Sequence, residues 1–242
     1  MENLLVVWLV QKSEKRKENI ATIDMRTLTL YHYWRSSASW RVRWALAIKN
    51  IPYTAVAVNL LTAEEKQSTY QEKNPTAYVP CLQVKDGAKE YFLGESLAII
   101  EWLEENYPTP SLLPGNSYQK AYIRQLAESI NAGVQPLQNL DVTRHYSADK
   151  AKQEEWTRHW MARGLAVYEK LLEQHKEWCG DYSFGNTPSL ADLCLIPQCA
   201  SALRFNVDLS AYLRCKKIYE FASLTAPAKA ASAEAHKPAD AI

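Results

Sequence analysis

The chain has 242 residues, of which 47% are apolar and 23% are charged. These values are typical of a globular protein with one large or two small domains, and they exclude a largely disordered chain, a fibrous one and a small disulfide scaffold. The 28 Lys and Arg residues nearly balance the 27 Asp and Glu residues, so the net charge is +1. Because such a charge gives no general attraction to nucleic acid or to an anionic membrane, we expect neither as a partner.

The cysteines are scattered and odd in number, and no two of them form a C-x-x-C pair. This pattern indicates neither a disulfide framework nor a zinc site. The five histidines show no metal-ligand spacing either. We therefore predict no metal site and a reducing, cytoplasmic location. The cysteines concerned are Cys81, Cys179, Cys194, Cys199 and Cys215.

Residues 1–26 are interpreted as a loosely ordered extension, or as a stretch upstream of a second start at Met25. The apolar run from Leu4 to Val10 is far shorter than the roughly 20 residues that a membrane-spanning helix needs. It also lacks the charged region and the cleavage signal of a secretory leader. A densely charged stretch follows it at 11–19.

Residues 27–107 alternate between strand and helix signals. A β-prone run at 28–31 precedes a group of serines that favour a helix start, and the helix that follows is predicted to end at Asn50-Ile51-Pro52. The Asp86-Gly87 pair predicts a hairpin turn. The remaining predicted elements are a strand at 53–60, a polar helix at 62–73, strands at 79–84 and 91–93, and a helix at 96–107. The order β-α-β-α-β-β-α predicts a small α/β domain.

The second half of the chain is predicted to be helical. Three prolines and a glycine make 108–116 the clearest linker signal. Residues 117–224 show helical periodicity without a strong strand, and Ser189 with Asp192 predicts a capping box at a helix start. Residues 225–242 are rich in Ala, Lys and Pro and contain no aromatic residue, so we expect a loose tail.

The chain carries five distinctive motifs in order. They are YHYWRSSASWRVR from Tyr31 to Arg43, the NP and VP pairs at Asn74 and Val79, ESLAIIEWL from Glu95, QPLQNL from Gln135, and ADLCL with RFNVDL between Ala191 and Leu209. Together they resemble the zeta-class glutathione transferases, the maleylacetoacetate isomerase family. The resemblance covers roughly residues 27–215. It implies a thioredoxin-like N-terminal domain, an all-helical C-terminal domain and glutathione as the cofactor.

Two serines at a predicted helix start carry the catalytic expectation. A thiol with a pKa of about 8.5 is mostly protonated at neutral pH, and a helix N-terminus with hydroxyl donors stabilises the thiolate. The resemblance implies that one serine of the pair contacts the glutathione sulfur and favours Ser36, although the sequence does not separate it from Ser37. The alternative is that both serines only cap the helix.

The resemblance also implies the rest of the glutathione site. A proline of the kind that is usually cis leaves the backbone of Val79 free to pair with glutathione. Glu95 and Ser96, at the next helix start, are expected to receive the γ-glutamyl end. Gln135 and Asn139 match positions near glutathione that reach across a dimer interface. The alternatives are an edge-strand proline without a ligand and simple helix capping.

Two arginines are the expected substrate ligands. The family's substrate is a dianionic cis-enedione acid, and the planar fork of an arginine suits bidentate carboxylate binding. Arg35 and Arg204 match the family positions; without that match, each would be interpreted as a solvated surface charge. The sequence departs from the family at Ala38, where many members have Cys, and at Tyr78, where glutamine or another polar residue is familiar. It also departs at Glu65, where the family has a glutamine that contacts the glycyl end of glutathione.

The resemblance implies a homodimeric enzyme that uses glutathione to isomerise maleylacetoacetate, a keto-acid, to fumarylacetoacetate by reversible thiolate addition. Within the enzyme class, the alternatives are maleylpyruvate isomerase, general glutathione conjugation, and dehalogenation of α-halo acids. A non-catalytic module with the same fold is the alternative from another class. It would have no need for the polar set that this chain carries.

Overall fold

The computed structural model describes residues 26–239, so the predicted extension lies outside the described residues except for Arg26. The N-terminal part contains a four-stranded mixed sheet of order β2-β1-β3-β4, in which β2 runs parallel to β1 while β3 is antiparallel to both β1 and β4. The predicted alternation in β1 buries Leu28 and Leu30. Gly87 has φ +58° in the hairpin turn, a conformation that glycine adopts without strain. The strands are β1 (Thr27–His32), β2 (Thr54–Ala57), β3 (Cys81–Asp86) and β4 (Lys89–Leu93).

Helices α1 to α3 belong to this first unit, and the helices after them form the C-terminal unit. The predicted βαβαββα unit followed by a helical unit is therefore confirmed. The helices are α1 (Ser37–Ile48), α2 (Ser68–Gln71), α3 (Ser96–Asn106), α4 (Ser117–Asn131), α5 (Leu140–Tyr146), α6 (Lys150–Gln174), α7 (Leu190–Arg204), α8 (Leu213–Ala222) and α9 (Ala226–Ala231), with short 3-10 turns at Glu64–Lys66, Lys176–Trp178, Leu209–Ala211 and Glu234–His236.

Helix α7 lies at the centre of the molecule. It is apolar nearly all round, as expected for a helix that packs on several neighbours, and it contacts α1 as well as α4. One continuous hydrophobic core therefore joins both halves of the chain. The predicted capping box starts this helix, since the fully buried carboxylate of Asp192 accepts hydrogen bonds from the backbone N–H and the hydroxyl of Ser189 at 2.8 and 2.7 Å.

The segment between the two halves is held in place by Lys49 at the end of α1. Its Nζ donates to Glu104 Oε2 at 2.8 Å and to the carbonyls of Tyr107 and Pro110 at 2.6 and 2.8 Å. Leu112 is fully buried in the common core. A charged group with three oxygen partners and a buried leucine anchor fix the start of the helical half relative to the sheet.

Two segments differ from the sequence prediction. The polar stretch 62–73 forms a 3-10 turn and the four-residue α2, because Gln67 is extended, with φ −73° and ψ 146°, and separates the two; the left-handed Ala63, with φ +56°, precedes the turn. The predicted loose tail is wrong for residues 226–236, which form α9 and a further 3-10 turn. Ala228 and Ala231 are buried, since side chains this small let α9 approach α1 closely.

Candidate active site

A cleft of about 740 Å³ lies between the sheet unit and the helical unit. All the residues that the sequence singles out for the site line this cleft, although they come from widely separated parts of the chain. The cleft-lining residues include Arg35, Ser36, Ser37, Val79, Glu95, Ser96, Gln135, Asn139 and Arg204. The structure therefore brings the whole predicted set together.

Ser36 is the N-cap of α1, is half-buried and lines the cleft. Its Oγ accepts a hydrogen bond from the backbone N–H of Ser39 at 3.1 Å. Its own N–H donates to the carbonyl of Tyr33 at 3.0 Å. Because the capping bond uses only the acceptor side of the hydroxyl, the hydroxyl proton of Ser36 is available to an anion at the helix N-terminus.

Ser37 is more buried, and its proton is already used. Its Oγ donates to Gln135 Oε1 at 3.0 Å across the boundary between the two halves of the chain. Gln135 Oε1 also accepts from Arg41 Nη2 at 3.1 Å and from Gln138 Nε2 at 3.3 Å. The two serines that the sequence does not separate therefore differ in structure. Among residues 26–239 the hydroxyl proton of Ser36 has no acceptor, whereas Ser37 donates to Gln135.

Arg41 is a residue of the site that sequence reasoning missed. Its side chain is fully buried, and its guanidinium also donates to Asn131 Oδ1 at 2.7 Å and to Ser96 Oγ at 3.2 Å. It thus connects the starts of α1 and α3 with α4. The only sequence signal is an arginine inside an otherwise apolar helix pattern, and partners 55 to 94 residues away are not visible from that pattern.

The backbone at Val79, next to Pro80, forms a further part of the cleft. The Val79–Pro80 peptide bond is cis. The carbonyl of Tyr78, just before it, accepts from Tyr70 Oη at 2.6 Å and from Asn74 Nδ2 at 2.8 Å. Within residues 26–239, no protein group bonds to the N–H or C=O of Val79. These two backbone groups are therefore open to a peptide-like ligand.

The start of α3 forms another wall of the cleft. Glu95 has φ +61°, an uncommon conformation for a residue other than glycine, and Ser96 is buried directly after it. The N-terminus of α3 suits a carboxylate, and the Glu95 side chain is an anion of the kind that binds an ammonium group. Asn139 also lines the cleft, where its Oδ1 caps α5 through the N–H of Asp141 at 2.9 Å.

Two arginines also line the cleft. The guanidinium of Arg35 lies 4.3 Å from the centre of the Trp34 ring, and that of Arg204 lies 5.2 Å from the centre of the Phe205 ring. Although Arg204 reaches solvent, the walls of the cleft partly desolvate it, which lowers its pKa; the charge of Arg35 lowers this pKa further, against an opposing effect of Tyr33. Two neighbouring cations in a partly desolvated cleft have the chemistry that suits a dianion.

The positions that depart from the family also line the cleft. Ala38 leaves the start of α1 without a thiol, and Tyr78 is half-exposed. Glu65 is 8% exposed, and its Oε2 is buried without a hydrogen-bond partner in the described part of the chain. No group of acidic, histidine or cysteine side chains among residues 26–239 could hold a metal ion, and no described helix is long and apolar enough to cross a membrane.

The fold and this cleft are those of a glutathione transferase. The N-terminal domain family of the glutathione S-transferases matches residues 30–111. A solved structure of maleylacetoacetate isomerase from Anaeromyxobacter dehalogenans with bound glutathione is 40% identical, covers 91% of this chain and all of its own, and superposes with a TM-score of 0.80.

Sequence relatives narrow the class. Maleylacetoacetate isomerase from Dictyostelium discoideum is 45% identical over 188 residues, which is 76% of this chain and 83% of the relative. Maleylpyruvate isomerase from a Ralstonia species is 41% identical over 189 residues, 76% of this chain and 87% of the relative. The chain belongs to the zeta-class glutathione transferases, the maleylacetoacetate isomerase family. The predicted resemblance and the glutathione cofactor are both confirmed.

Proposed function

We propose that this protein is a glutathione-dependent isomerase that converts maleylacetoacetate to fumarylacetoacetate. One observation carries the proposal: a free hydroxyl donor at a helix N-terminus shares a cleft with two arginines that are close enough to influence each other. The first group suits a thiolate and the second a dianionic acid. The relatives named maleylacetoacetate isomerase support the choice of acid.

Ser36 is the proposed catalytic residue. Because its Oγ already accepts from the Ser39 N–H, its proton is the available donor to a sulfur anion, and the N-terminus of α1 adds favourable electrostatics. Ser37 is proposed to lie beside the same thiol, held in place by the hydrogen bond that it donates to Gln135. This assignment keeps both serines in the site but gives the donor role to the first.

The described residues fit glutathione as a cofactor. The open backbone of Val79 suits its peptide unit, and the start of α3, with Glu95 and Ser96, suits its γ-glutamyl end. Gln135 and Asn139 are proposed to lie beside it on the helical side. When bound, glutathione supplies a thiolate that adds to the cis double bond, allows rotation about the central bond, and leaves from the trans product unchanged.

Arg35 and Arg204 are the proposed ligands of the two substrate carboxylates. Their planar donor groups hold a carboxylate in a fixed orientation, so the acid is presented to the thiol in one geometry. Both lie against aromatic rings, which limits the positions of the long side chains. The chain thus provides thiolate stabilisation, orientation and charge neutralisation.

Maleylpyruvate isomerisation is the second candidate, because the Ralstonia relative with that name is nearly as similar as those named for maleylacetoacetate. We also propose a cytoplasmic homodimer. The supporting features are five cysteines without a disulfide, and exposed apolar side chains near the cleft mouth at Leu61, Tyr78 and Leu140. Light scattering on the purified full chain tests the dimer.

The deciding experiment measures turnover of both keto-acids by the full chain with glutathione, with S-methylglutathione and without a thiol. We expect turnover only with glutathione, since the methylated tripeptide retains the peptide contacts but lacks the nucleophile. The ratio of kcat/KM for the two acids decides between the two candidates. Binding of glutathione without turnover of either acid would contradict the isomerase assignment and favour a binding module.

A further inference from the structure

The C-terminal segment 226–237 lies against the opposite face of the loop that carries Arg35 and Ser36. Its helix α9 packs on α1, with Ala228 and Ala231 each 1% exposed. The Nζ of Lys237, at its end, lies 5.7 Å from the centre of the Trp34 ring. The segment thus contacts α1, which Ser36 caps, and Trp34, the residue next to Arg35, although it does not line the cleft.

One buried side chain, Arg43 of α1, links this segment to the loop. Its guanidinium is 1% exposed, and its Nε donates to the carbonyl of Ala231 at 2.9 Å, 188 residues away. Its two terminal nitrogens donate to the carbonyls of Tyr33 and Trp34 at 3.4 and 3.2 Å. None of the ion pairs among residues 26–239 includes Arg43, so backbone carbonyls are its main partners.

The same network reaches Ser36 through one shared acceptor. The carbonyl of Tyr33 accepts both the Arg43 donor at 3.4 Å and the N–H of Ser36 at 3.0 Å. His32 adds a further acceptor, with Nδ1 at 3.2 Å from Arg43 Nη1. Burial and the charge of Arg43 lower the pKa of His32 to about 3, so the ring is neutral and can accept this bond at neutral pH.

We propose that Arg43 is a positioning residue and that, together with the docked segment 226–237, it holds the Tyr33–Ser36 loop in the geometry that the thiol site requires. The inference rests on the proposed role of Ser36 in the isomerase. Arg43 touches no reacting atom. It acts by tying the loop carbonyls and the end of α9 to one rigid, five-donor group.

The physical reason is that these carbonyls are buried and have few alternatives. When the guanidinium is removed, the carbonyls of Trp34 and Ala231 must find water or move, because an unpaired buried acceptor is unfavourable. The carbonyl of Tyr33 loses its second donor and keeps the N–H of Ser36. Movement of the Tyr33 carbonyl changes the anchor of the Ser36 N–H. A lysine at position 43 keeps the charge but cannot reproduce the planar fork.

The test compares Arg43→Lys and two substitutions in α9 with the unchanged full chain. Ala231→Glu introduces a large charged group at the buried contact, and Ala230→Glu introduces the same group one residue earlier at an exposed position of the same helix. Ala231→Ser is the mild second variant in case the glutamate prevents folding. The readouts are kcat, the Kd of glutathione, the pKa of the bound thiol from thiolate absorbance, and Tm.

We expect Arg43→Lys, and Ala231→Glu or its serine replacement, to raise the bound-thiol pKa and lower kcat by about fivefold or more, whereas the Kd of glutathione stays within about twofold because Val79, Glu95 and Ser96 are untouched. Ala230→Glu should match the unchanged chain. A fall in Tm with an unaltered thiol pKa and kcat would overturn the inference, because segment 226–237 and Arg43 would then contribute only to stability. If the unchanged chain isomerises neither acid, the proposed function fails, while thiol pKa and affinity still test the positioning role.

Discussion

The cleft contains two groups of polar side chains that differ in charge: a set of serine hydroxyls and a pair of arginines. The hydroxyl side, made of Ser36, Ser37 and Ser96, is anchored by protein hydrogen bonds: Ser36 to Ser39, Ser37 to Gln135, and Ser96 to Arg41. The arginine side, made of Arg35 and Arg204, presents long charged side chains against aromatic rings at the mouth. The first side presents neutral hydroxyls, and the second presents two full positive charges.

This difference suggests a division of work. A preorganised donor set stabilises charge that appears on one sulfur atom in every turnover, without reorganisation during the reaction. The two arginines are instead proposed to bind the carboxylates of the acid, so they act on its affinity and its orientation. We therefore expect changes on the hydroxyl side to alter kcat and the thiol pKa, and changes on the arginine side to alter KM and the preference between acids.

The largest expected effect is that of Ser36→Ala. Loss of one stabilising donor to the thiolate should raise the pKa of bound glutathione and lower kcat/KM by about 100-fold or more. Ser37→Ala is the matched control, and it should cost less because its proton is donated to Gln135. Thiolate absorbance against pH gives the thiol pKa. A greater loss in Ser37→Ala would reverse the assignment, and no loss in either variant would refute the thiol site.

Arg204→Ala should show the second-largest effect. A charge-assisted hydrogen bond to a carboxylate contributes about 1.5 to 3 kcal/mol, so the KM for the keto-acid should rise roughly 10- to 100-fold. Arg204→Lys should recover only part of this loss because a point charge cannot reproduce the fork. Calorimetry should give a glutathione Kd within about twofold of the unchanged chain. An equal loss of affinity for both ligands would mark Arg204 as a brace between the two halves.

The sequence predicted the features of this fold that local rules determine. The alternation in β1, the Asp86-Gly87 hairpin and the capping box at Ser189 each depend on residues within a few positions of each other. Helix starts also bring the hydroxyls of Ser36 and Ser96 to the cleft without long-range information. For this reason most of the hydroxyl side could be predicted from the sequence.

Features that depend on distant partners could not be predicted in the same way. The guanidinium of Arg41 bonds to residues up to 94 positions away, and that of Arg43 to a carbonyl 188 positions away. Composition also misled the prediction for the C-terminal segment. Alanines lower the hydrophobic signal of a sequence, yet their small size allows the close packing of α9 on α1.

A smaller effect is expected from Glu65→Gln. This variant tests whether the carboxylate of Glu65 weakens the binding of glutathione, which is itself an anion. The carboxylate of Glu65 is buried with one oxygen unpartnered in the described chain, and glutathione carries two carboxylates of its own. Removing this negative charge should tighten glutathione binding by roughly threefold to tenfold. Glu72→Gln, an exposed charge change in the same unit, should leave the Kd unchanged. An unaltered Kd of glutathione in both variants would show that the charge of Glu65 does not affect glutathione binding.

The smallest expected effect is that of cysteine alkylation. This treatment tests whether the chemistry on the hydroxyl side requires a cysteine thiol of the protein. Burial raises the pKa of all five cysteine thiols, that of Cys81 to about 11, so their thiolate fractions at neutral pH are small. Cys81, at the end of the Val79–Cys81 run, is fully buried, and the half-buried Cys179 does not line the cleft. Iodoacetamide at neutral pH should therefore leave isomerase activity unchanged within about 20%.

The matched variant Ala38→Cys restores a thiol at the helix start, where the N-terminal dipole lowers a thiol pKa. It should become sensitive to iodoacetamide and be protected by glutathione, while its activity before alkylation stays close to that of the unchanged chain. Inactivation of the unchanged chain that glutathione prevents, and that disappears in Cys81→Ser, would instead assign a catalytic thiol to Cys81. The chemistry on the hydroxyl side would then depend on the thiolate of Cys81, although burial raises the pKa of that thiol and disfavours its ionised form. The preorganised hydroxyls alone would no longer explain the reaction.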